Sequence, residues 1–127
     1  MRVLVVEDDE ANLYLASFLL EEAGAEVVSA RDGASGVRLA AGLLPDVVVM
    51  DVSLPGLDGF EALRALRSDA RTADMPILAA TAFAQPGERE RMLRAGFDDY
   101  VEKPLDVSTF AARVRAWAGR RGGSKRF

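Results

Sequence analysis

The sequence of 127 residues contains no cysteine and no histidine. The first absence excludes disulfides, thiol nucleophiles and thiolate metal sites, and the second excludes imidazole-bound zinc, Ser-His-Asp catalysis and phosphohistidine within this chain. No apolar run approaches the roughly 20 residues that span a membrane, and no signal-peptide pattern follows Met1, so we expect a cytoplasmic protein without membrane association. The net charge of −4 does not favour direct binding to nucleic acid.

The residues that are present have the pattern of a single α/β domain. Half of them are apolar and 28% are charged, as in ordinary globular proteins. Strand-like runs alternate with helical patterns along the chain, and these runs cover residues 3–6, 26–30, 47–51, 77–81 and 99–101. Strict alternation of this kind predicts a doubly wound parallel five-stranded sheet with helices on both faces, in the flavodoxin-like strand order 2-1-3-4-5.

Local signals indicate where strands and helices lie. Residues 26–30 are less apolar than the other runs, which favours an edge strand. Asp32 is a predicted N-cap, and Asp58 with Glu61 has the spacing of a capping box. Pro86 suits the first turn of the fourth helix.

Polar side chains end four of the predicted strands. Because the carboxyl ends of parallel strands meet at one edge of a sheet, we expect these side chains to lie close together. Clustered carboxylates repel one another unless a cation lies among them, and with oxygen ligands alone that cation would be Mg²⁺ or Mn²⁺. The residues are Glu7 and Asp8 after the first strand, Asp51 on the third, Thr81 on the fourth and Lys103 after the fifth.

This combination of groups is what a phosphoryl transfer requires. A metal ion, an ammonium group and a hydroxyl can surround the phosphoryl oxygens, and a carboxylate can act as nucleophile to give an aspartyl phosphate. Asp51, on the middle strand, is best placed for that role. Each residue alone has a simpler explanation, since Thr81 is an ordinary strand-end residue and Lys103 an ordinary solvated charge. The hypothesis depends on their joint occurrence.

With this set of residues in this order, the sequence resembles the receiver domain of bacterial two-component response regulators, the CheY-like family. The matching segments are residues 5–9, 49–51 with 54–59, 80–82 and 100–104. The resemblance covers residues 1–118 and leaves residues 119–127 as a flexible basic tail or a linker. It implies that Asp51 accepts a phosphoryl group from a histidine kinase or a phosphotransfer protein. It also implies a signalling domain rather than an enzyme, one that catalyses only its own phosphoryl transfer and autodephosphorylation.

The resemblance further implies a metal site. Asp8, Asp51 and the backbone carbonyl of Ser53 would hold Mg²⁺, with Glu7 acting mainly through water. With three acids in a row, Asp8 and Asp9 are an alternative pair to Glu7 and Asp8. The resemblance favours the earlier pair, because the apolar run ends directly before Glu7.

The resemblance also implies which residues transmit the effect of phosphorylation to a binding partner. Lys103 would pair with Asp51 and then with the phosphoryl group, while Thr81 and Tyr100 match the switch pair of the family. The Lys103–Pro104 peptide bond matches one that is cis in the family. A downstream partner or a second copy would bind the face formed by the fourth helix, fifth strand and fifth helix, unless that face is an ordinary solvated surface. Its basic residues are Arg89, Arg91, Arg94 and Arg113.

Three alternatives remain at this stage. A flavodoxin shares the topology, but Glu7 and its acidic neighbours would repel a flavin phosphate. A haloacid-dehalogenase-like phosphatase requires a second acid two residues after the nucleophile, where this chain has Ser53. A phosphorylation-independent docking pseudo-receiver usually lacks one of the key residues, and this chain keeps them all.

Overall fold

The computed structural model describes residues 1–82 and 85–120. Five parallel strands form one sheet in the order β2-β1-β3-β4-β5, which confirms the predicted doubly wound architecture. The strands are β1 (Arg2–Val6), β2 (Glu26–Ala30), β3 (Val47–Asp51), β4 (Ile77–Thr81) and β5 (Asp99–Glu102). The helices are α1 (Glu10–Glu22), α2 (Gly33–Leu43), α3 (Gly59–Ser68), α4 (Glu88–Ala95) and α5 (Phe110–Trp117).

Helices cover both faces of the sheet, and this explains the uninterrupted apolar runs. Strands β3 and β4 are buried along their whole length, whereas β2 lies at an edge and is only partly buried, as its composition predicts. Alternate residues of β1, β3 and β4 enter two separate apolar layers. One layer packs against α2, α3 and α4, and the other packs against α1 and α5.

The register of the strands brings their carboxyl ends to the same edge. Val6 lies beside Met50, and Asp51 lies beside Ala80. Glu7 and Asp51 therefore leave neighbouring strands at nearly the same level.

Two of the predicted helix starts are found as expected. The Asp32 side chain accepts a hydrogen bond from the backbone N–H of Ser35 at 2.7 Å, which caps α2. Asp58 and Glu61 form the complete capping box at the start of α3.

The start of α4 differs from its prediction. Pro86 lies before the helix rather than in its first turn, and α4 begins at Glu88. The reason is the backbone of Gly87, whose φ of +86° belongs to the left-handed region and cannot continue a right-handed helix.

The chain after α5 is described only as far as Arg120. Gly119 donates a backbone hydrogen bond to the carbonyl of Asp46 at 3.0 Å, and the Arg120 guanidinium lies 5.0 Å from the ring centroid of Trp117. Residues 121–127 of the predicted tail lie outside the described residues. None of the described helices has the length and the apolar character that a membrane span requires.

Candidate functional site

Three acids gather at the carboxyl edge of the sheet. One carboxylate oxygen from each of Glu7, Asp8 and Asp51 lies within 4.8 Å of the other two. Glu7 and Asp51 are buried, while Asp8 is exposed and leaves the cluster open to solvent on one side. An open group of carboxylate oxygens is the type of ligand set that Mg²⁺ prefers, because this ion keeps several of its waters.

Lys103 lies between two of these acids. Its Nζ is 2.7 Å from Glu7 Oε1 and 3.1 Å from Asp51 Oδ2. The resemblance implied the contact with Asp51, but the shorter contact with Glu7 was not anticipated. One ammonium beside three carboxylates leaves an excess of negative charge, so the cluster as a whole fits a divalent cation.

The protonation states of Glu7 and Lys103 depend on their burial and on the charged groups that they contact. Burial raises the pKa of Glu7 above its ordinary value, although the hydrogen bond from Lys103 opposes the shift. Burial disfavours the charged form of Lys103, but the contacts with Glu7 and Asp51 outweigh it and raise the pKa of Lys103. Lys103 therefore stays protonated at neutral pH and presents a fixed positive charge beside Asp51.

Both oxygens of the Asp51 carboxylate have a donor. Oδ1 accepts the backbone N–H of Ser53 at 3.0 Å, and Oδ2 contacts Lys103. The start of α3 packs closely behind this turn, since a Cβ on Gly59 would lie 2.6 Å from both the Asp51 carbonyl oxygen and Val52 Cα. A glycine is needed at this close approach, and it holds the loop after Asp51 against the strand.

Asp9 caps a helix and is not part of the carboxylate cluster that its acidic neighbours form. Its side chain accepts the backbone N–H of Asn12 at 2.9 Å and so caps α1, while its own N–H donates to Glu7 Oε2 at 3.1 Å. The carboxylate cluster contains Glu7 and Asp8 and does not include Asp9. The geometry thus favours the Glu7–Asp8 pair over the Asp8–Asp9 alternative.

Thr81 and Tyr100 lie on neighbouring strands. Thr81 is the last residue of β4 and is 1% exposed. Tyr100 pairs in register with Ala79, two residues before Thr81, so the two side chains share one face of the sheet. The Tyr100 ring packs partly against the core, and its hydroxyl donates to Glu102 Oε1 at 3.4 Å near the surface.

A surface cleft of about 470 Å³ lies beside Tyr100. Arg89 and Arg113 line it, and both guanidinium groups contact Asp99, at 3.3 Å and 3.2 Å respectively. Arg91 does not join this group, because its guanidinium lies over the Phe60 ring of α3 at 4.9 Å from the centroid. Asp99 therefore partly neutralises the predicted basic face, whose other two arginines, Arg91 and Arg94, are exposed.

An exposed aromatic pair on α1 was missed in the sequence analysis. Tyr14 is 72% exposed and Phe18 is 48% exposed, and their rings stack with centroids 6.4 Å apart. The signal was present, since the two residues are spaced i, i+4 on the side of the helix away from the buried Leu13 and Leu20. The two rings are thus large exposed apolar groups on a helix that starts beside the acidic cluster.

Comparisons with known proteins agree with this geometry. The sequence model for the response regulator receiver domain matches residues 3–115. The chain is 45% identical over 115 residues to the DNA-binding dual master transcriptional regulator RpaA of Synechocystis, and the match covers 91% of the chain and 48% of RpaA. It therefore spans about half the length of that relative. Over 117 residues it is 35% identical to the polar-differentiation response regulator DivK of Brucella anthropi, covering 92% of the chain and 95% of DivK.

A solved structure is similar in both fold and sequence. It is the receiver domain of the sensor histidine kinase PA1611 from Pseudomonas aeruginosa, with a magnesium ion coordinated in its active-site cleft. The TM-score is 0.84 at 35% identity, and the match covers 91% of this chain and 95% of that one. The sheet order, the acidic edge and these matches agree with one another. The chain therefore belongs to the receiver domains of two-component response regulators.

Proposed function

We propose that this receiver domain accepts a phosphoryl group on Asp51 from a histidine kinase or a histidine phosphotransfer protein. One observation carries the proposal. The Asp51 carboxylate ends the central strand, with the Ser53 N–H on one oxygen, Lys103 on the other and the carboxylates of Glu7 and Asp8 alongside. A nucleophile, a fixed cation and a potential metal site therefore lie within contact distance of one another.

In the transfer itself, a carboxylate oxygen of Asp51 attacks the phosphorus of a phosphohistidine. A phosphorus–oxygen bond forms as the phosphorus–nitrogen bond breaks, and the imidazole leaves with its electron pair and takes up a proton. Lys103 contacts the same carboxylate and would follow the charge onto the phosphoryl oxygens. Hydrolysis of the acyl phosphate later restores the free carboxylate, so the domain acts only on its own phosphoryl group.

A metal ion completes this chemistry. We propose Asp8, Asp51 and the backbone carbonyl of Ser53 as ligands for Mg²⁺, with Glu7 acting through water. When bound, the ion would neutralise the charge that three carboxylates and a phosphoryl group otherwise concentrate at one edge of the sheet. Mn²⁺, another hard cation, is compatible with the same oxygen ligands.

The exposed rings of Tyr14 and Phe18 support a protein donor. They project from α1, which begins three residues after Glu7, so a protein that brings a phosphohistidine to Asp51 also comes close to α1. Burying two aromatic rings supplies contact area that a small phosphodonor cannot use. Tyr14→Ala should therefore slow phosphorylation by a cognate protein donor and leave phosphorylation by acetyl phosphate unchanged. Equal slowing with both donors would contradict this role for the rings.

The response to phosphorylation would begin at Thr81. A phosphoryl group on Asp51 offers its hydroxyl a charged acceptor, worth about 1.5–3 kcal/mol as a hydrogen bond. Movement of Thr81 would open space on the face of the sheet that it shares with Tyr100, whose hydroxyl now lies near the surface at Glu102. The altered surface of α4, β5 and α5 would then bind a downstream protein or a second copy, and we propose no direct contact with nucleic acid.

The test of this function measures the mass of the intact protein after incubation with acetyl phosphate. The wild type should gain one phosphoryl group with Mg²⁺ and none with a chelator, while Asp51→Asn should gain none under either condition. Asp74→Asn, which changes an exposed acid elsewhere, should behave as the wild type. A wild type that gains no phosphoryl group would favour the docking pseudo-receiver. Undiminished, hydroxylamine-labile phosphate on Asp51→Asn would reject Asp51 as the acceptor.

A further inference from the structure

One half-buried arginine fastens the C-terminal end of α4. Arg67, in the last turn of α3, donates to the carbonyl of Gly96 at 3.0 Å and to Asp98 Oδ2 at 3.0 Å. The same guanidinium donates to the carbonyls of Ala73 at 3.0 Å and Met75 at 2.6 Å. A planar group with five N–H donors thereby joins α3, the connection to β4, the end of α4 and the start of β5.

The partner of this arginine is buried and shared with the sheet. The side chain of Asp98 is 1% exposed, and its Oδ2 also accepts the backbone N–H of Ile77 at 2.8 Å. In return the Asp98 N–H donates to the carbonyl of Ile77 at 2.8 Å. Separating Arg67 from Asp98 would remove a charged partner from a buried carboxylate, which is strongly unfavourable. This attachment of α4 is therefore a firm one.

The N-terminal end of α4 is held differently. It starts at Gly87, which has no side chain and makes no side-chain capping hydrogen bond. Among the residues that the structure describes, no atom lies within 4 Å of the position that a Cβ at Gly87 would take. Glu88 is buried but forms its ion pair within the helix, with Arg91 at 3.2 Å. The Arg91 guanidinium contacts α3 through the face of the Phe60 ring, a contact without the fixed geometry of a hydrogen bond.

The two ends of α4 also lie at opposite edges of the sheet. The helix follows β4, whose last residue is Thr81 at the edge that carries Asp51. It then runs back toward the edge where β5 begins. The N-terminal end of α4 is thus beside the phosphorylation site, and the end that Arg67 holds is remote from it.

We propose that the Arg67–Asp98 pair is the pivot of α4. When Asp51 is phosphorylated, α4 tilts about Gly96, so that its N-terminal half moves while its C-terminal end stays in place. The inference rests on the proposed function, because the phosphoryl group is the trigger. At a rise of 1.5 Å per residue, positions 90 and 94 lie about 9 Å and about 3 Å from the pivot, so a tilt moves position 90 about three times as far.

The absence of cysteine from the chain makes a direct distance measurement possible. Glu90→Cys and Arg94→Cys are each combined with Glu22→Cys on α1 as a reference, since all three positions are exposed, and the pairs are spin-labelled. Distances are measured by pulsed electron paramagnetic resonance before and after treatment with acetyl phosphate and Mg²⁺. The mass of the same sample gives the phosphorylated fraction.

The pivot predicts a shift at position 90 about three times that at position 94. Equal shifts would indicate displacement of the whole helix, and no shift in a phosphorylated sample would mean that α4 does not respond. Either result overturns the pivot while leaving phosphorylation of Asp51 intact. A sample that does not gain a phosphoryl group overturns the proposed function and the pivot with it, and the mass distinguishes that case.

A conservative substitution of Arg67 tests its role in the tilt of α4. Arg67→Lys keeps the positive charge but cannot reach all four acceptors at once, so the shifts at positions 90 and 94 should become similar. Arg64→Lys, one turn earlier on the exposed side of α3, should keep the threefold difference. A threefold difference retained in Arg67→Lys would show that Arg67 is structural only, since reduced stability alone does not change the ratio. If Arg67→Lys does not fold, the wild-type distances still decide the proposal.

Discussion

Replacing Lys103 with methionine removes the ammonium between Glu7 and Asp51 and leaves two buried carboxylates facing each other. The side chains of Lys103, Glu7 and Asp51 are only 13%, 6% and 7% exposed, so solvent screens them weakly. Breaking a buried pair of this kind costs about 3–5 kcal/mol. Because Glu7 keeps the backbone N–H of Asp9 as a donor and Asp51 keeps that of Ser53, we expect a loss of about 3 kcal/mol at neutral pH, the lower end of that range.

Urea unfolding in the presence of a chelator measures this loss. With a slope of about 2 kcal/mol per molar urea, the midpoint of Lys103→Met should fall by about 1.5 M. Mg²⁺ at 100 times its dissociation constant for Lys103→Met should restore about 2.7 kcal/mol to that variant. At the same Mg²⁺ concentration the wild type should gain less, because its ammonium already neutralises part of the cluster and weakens Mg²⁺ binding. Arg94→Met, at an exposed position, is the control. A loss below about 1 kcal/mol, or an equal gain from Mg²⁺ in both proteins, would refute this account of the charge balance.

Three further predictions concern the surroundings of the site. Asp8→Ala should weaken Mg²⁺ binding, measured by titration, more than Asp9→Ala does, and the reverse ranking would place the acidic pair one residue later. Asp9→Ala should instead cost about 1 kcal/mol of stability through loss of the α1 cap. Gly59→Ala should destabilise the domain by about 1–3 kcal/mol in urea unfolding because its Cβ has no room. Gly42→Ala, where a Cβ meets no atom within 4 Å, should stabilise α2 by up to about 1 kcal/mol, and similar effects at both glycines would contradict the packing argument. The fluorescence of Trp117, at the far end of α5, should barely change on addition of Mg²⁺ alone, and a strong quench would argue against the position of that helix.

Most of the fold could be predicted because the sheet is buried on both faces. Runs of β-branched and apolar residues marked the strands, and polar residues marked the places where the strands reach solvent. The order of the strands then brought Glu7, Asp8, Asp51 and Lys103 together without any knowledge of side-chain positions.

What could not be predicted depends on side chains from distant parts of the chain. Whether Lys103 contacts Glu7 or Asp51 more closely is decided by differences of a few tenths of an ångström, which no sequence pattern reports. From the sequence, Arg67 is an ordinary arginine in the last turn of a helix. Its contact with Asp98 could not be predicted, because it joins residues that are 31 positions apart. The later start of α4 follows from the left-handed backbone at Gly87, which overrode the preference of Pro86 for a first turn.

Every proposal about this domain depends on Asp51 as the residue that carries the phosphoryl group. Borohydride reduces an acyl phosphate and converts the aspartyl side chain to that of homoserine, so tandem mass spectrometry of the reduced protein can identify the acceptor directly. After phosphorylation with acetyl phosphate and Mg²⁺, we expect this change at position 51 and at no other acid. Reduction at Asp8 or Asp9 instead, or an unchanged Asp51 in a protein whose mass shows a phosphoryl group, would contradict it.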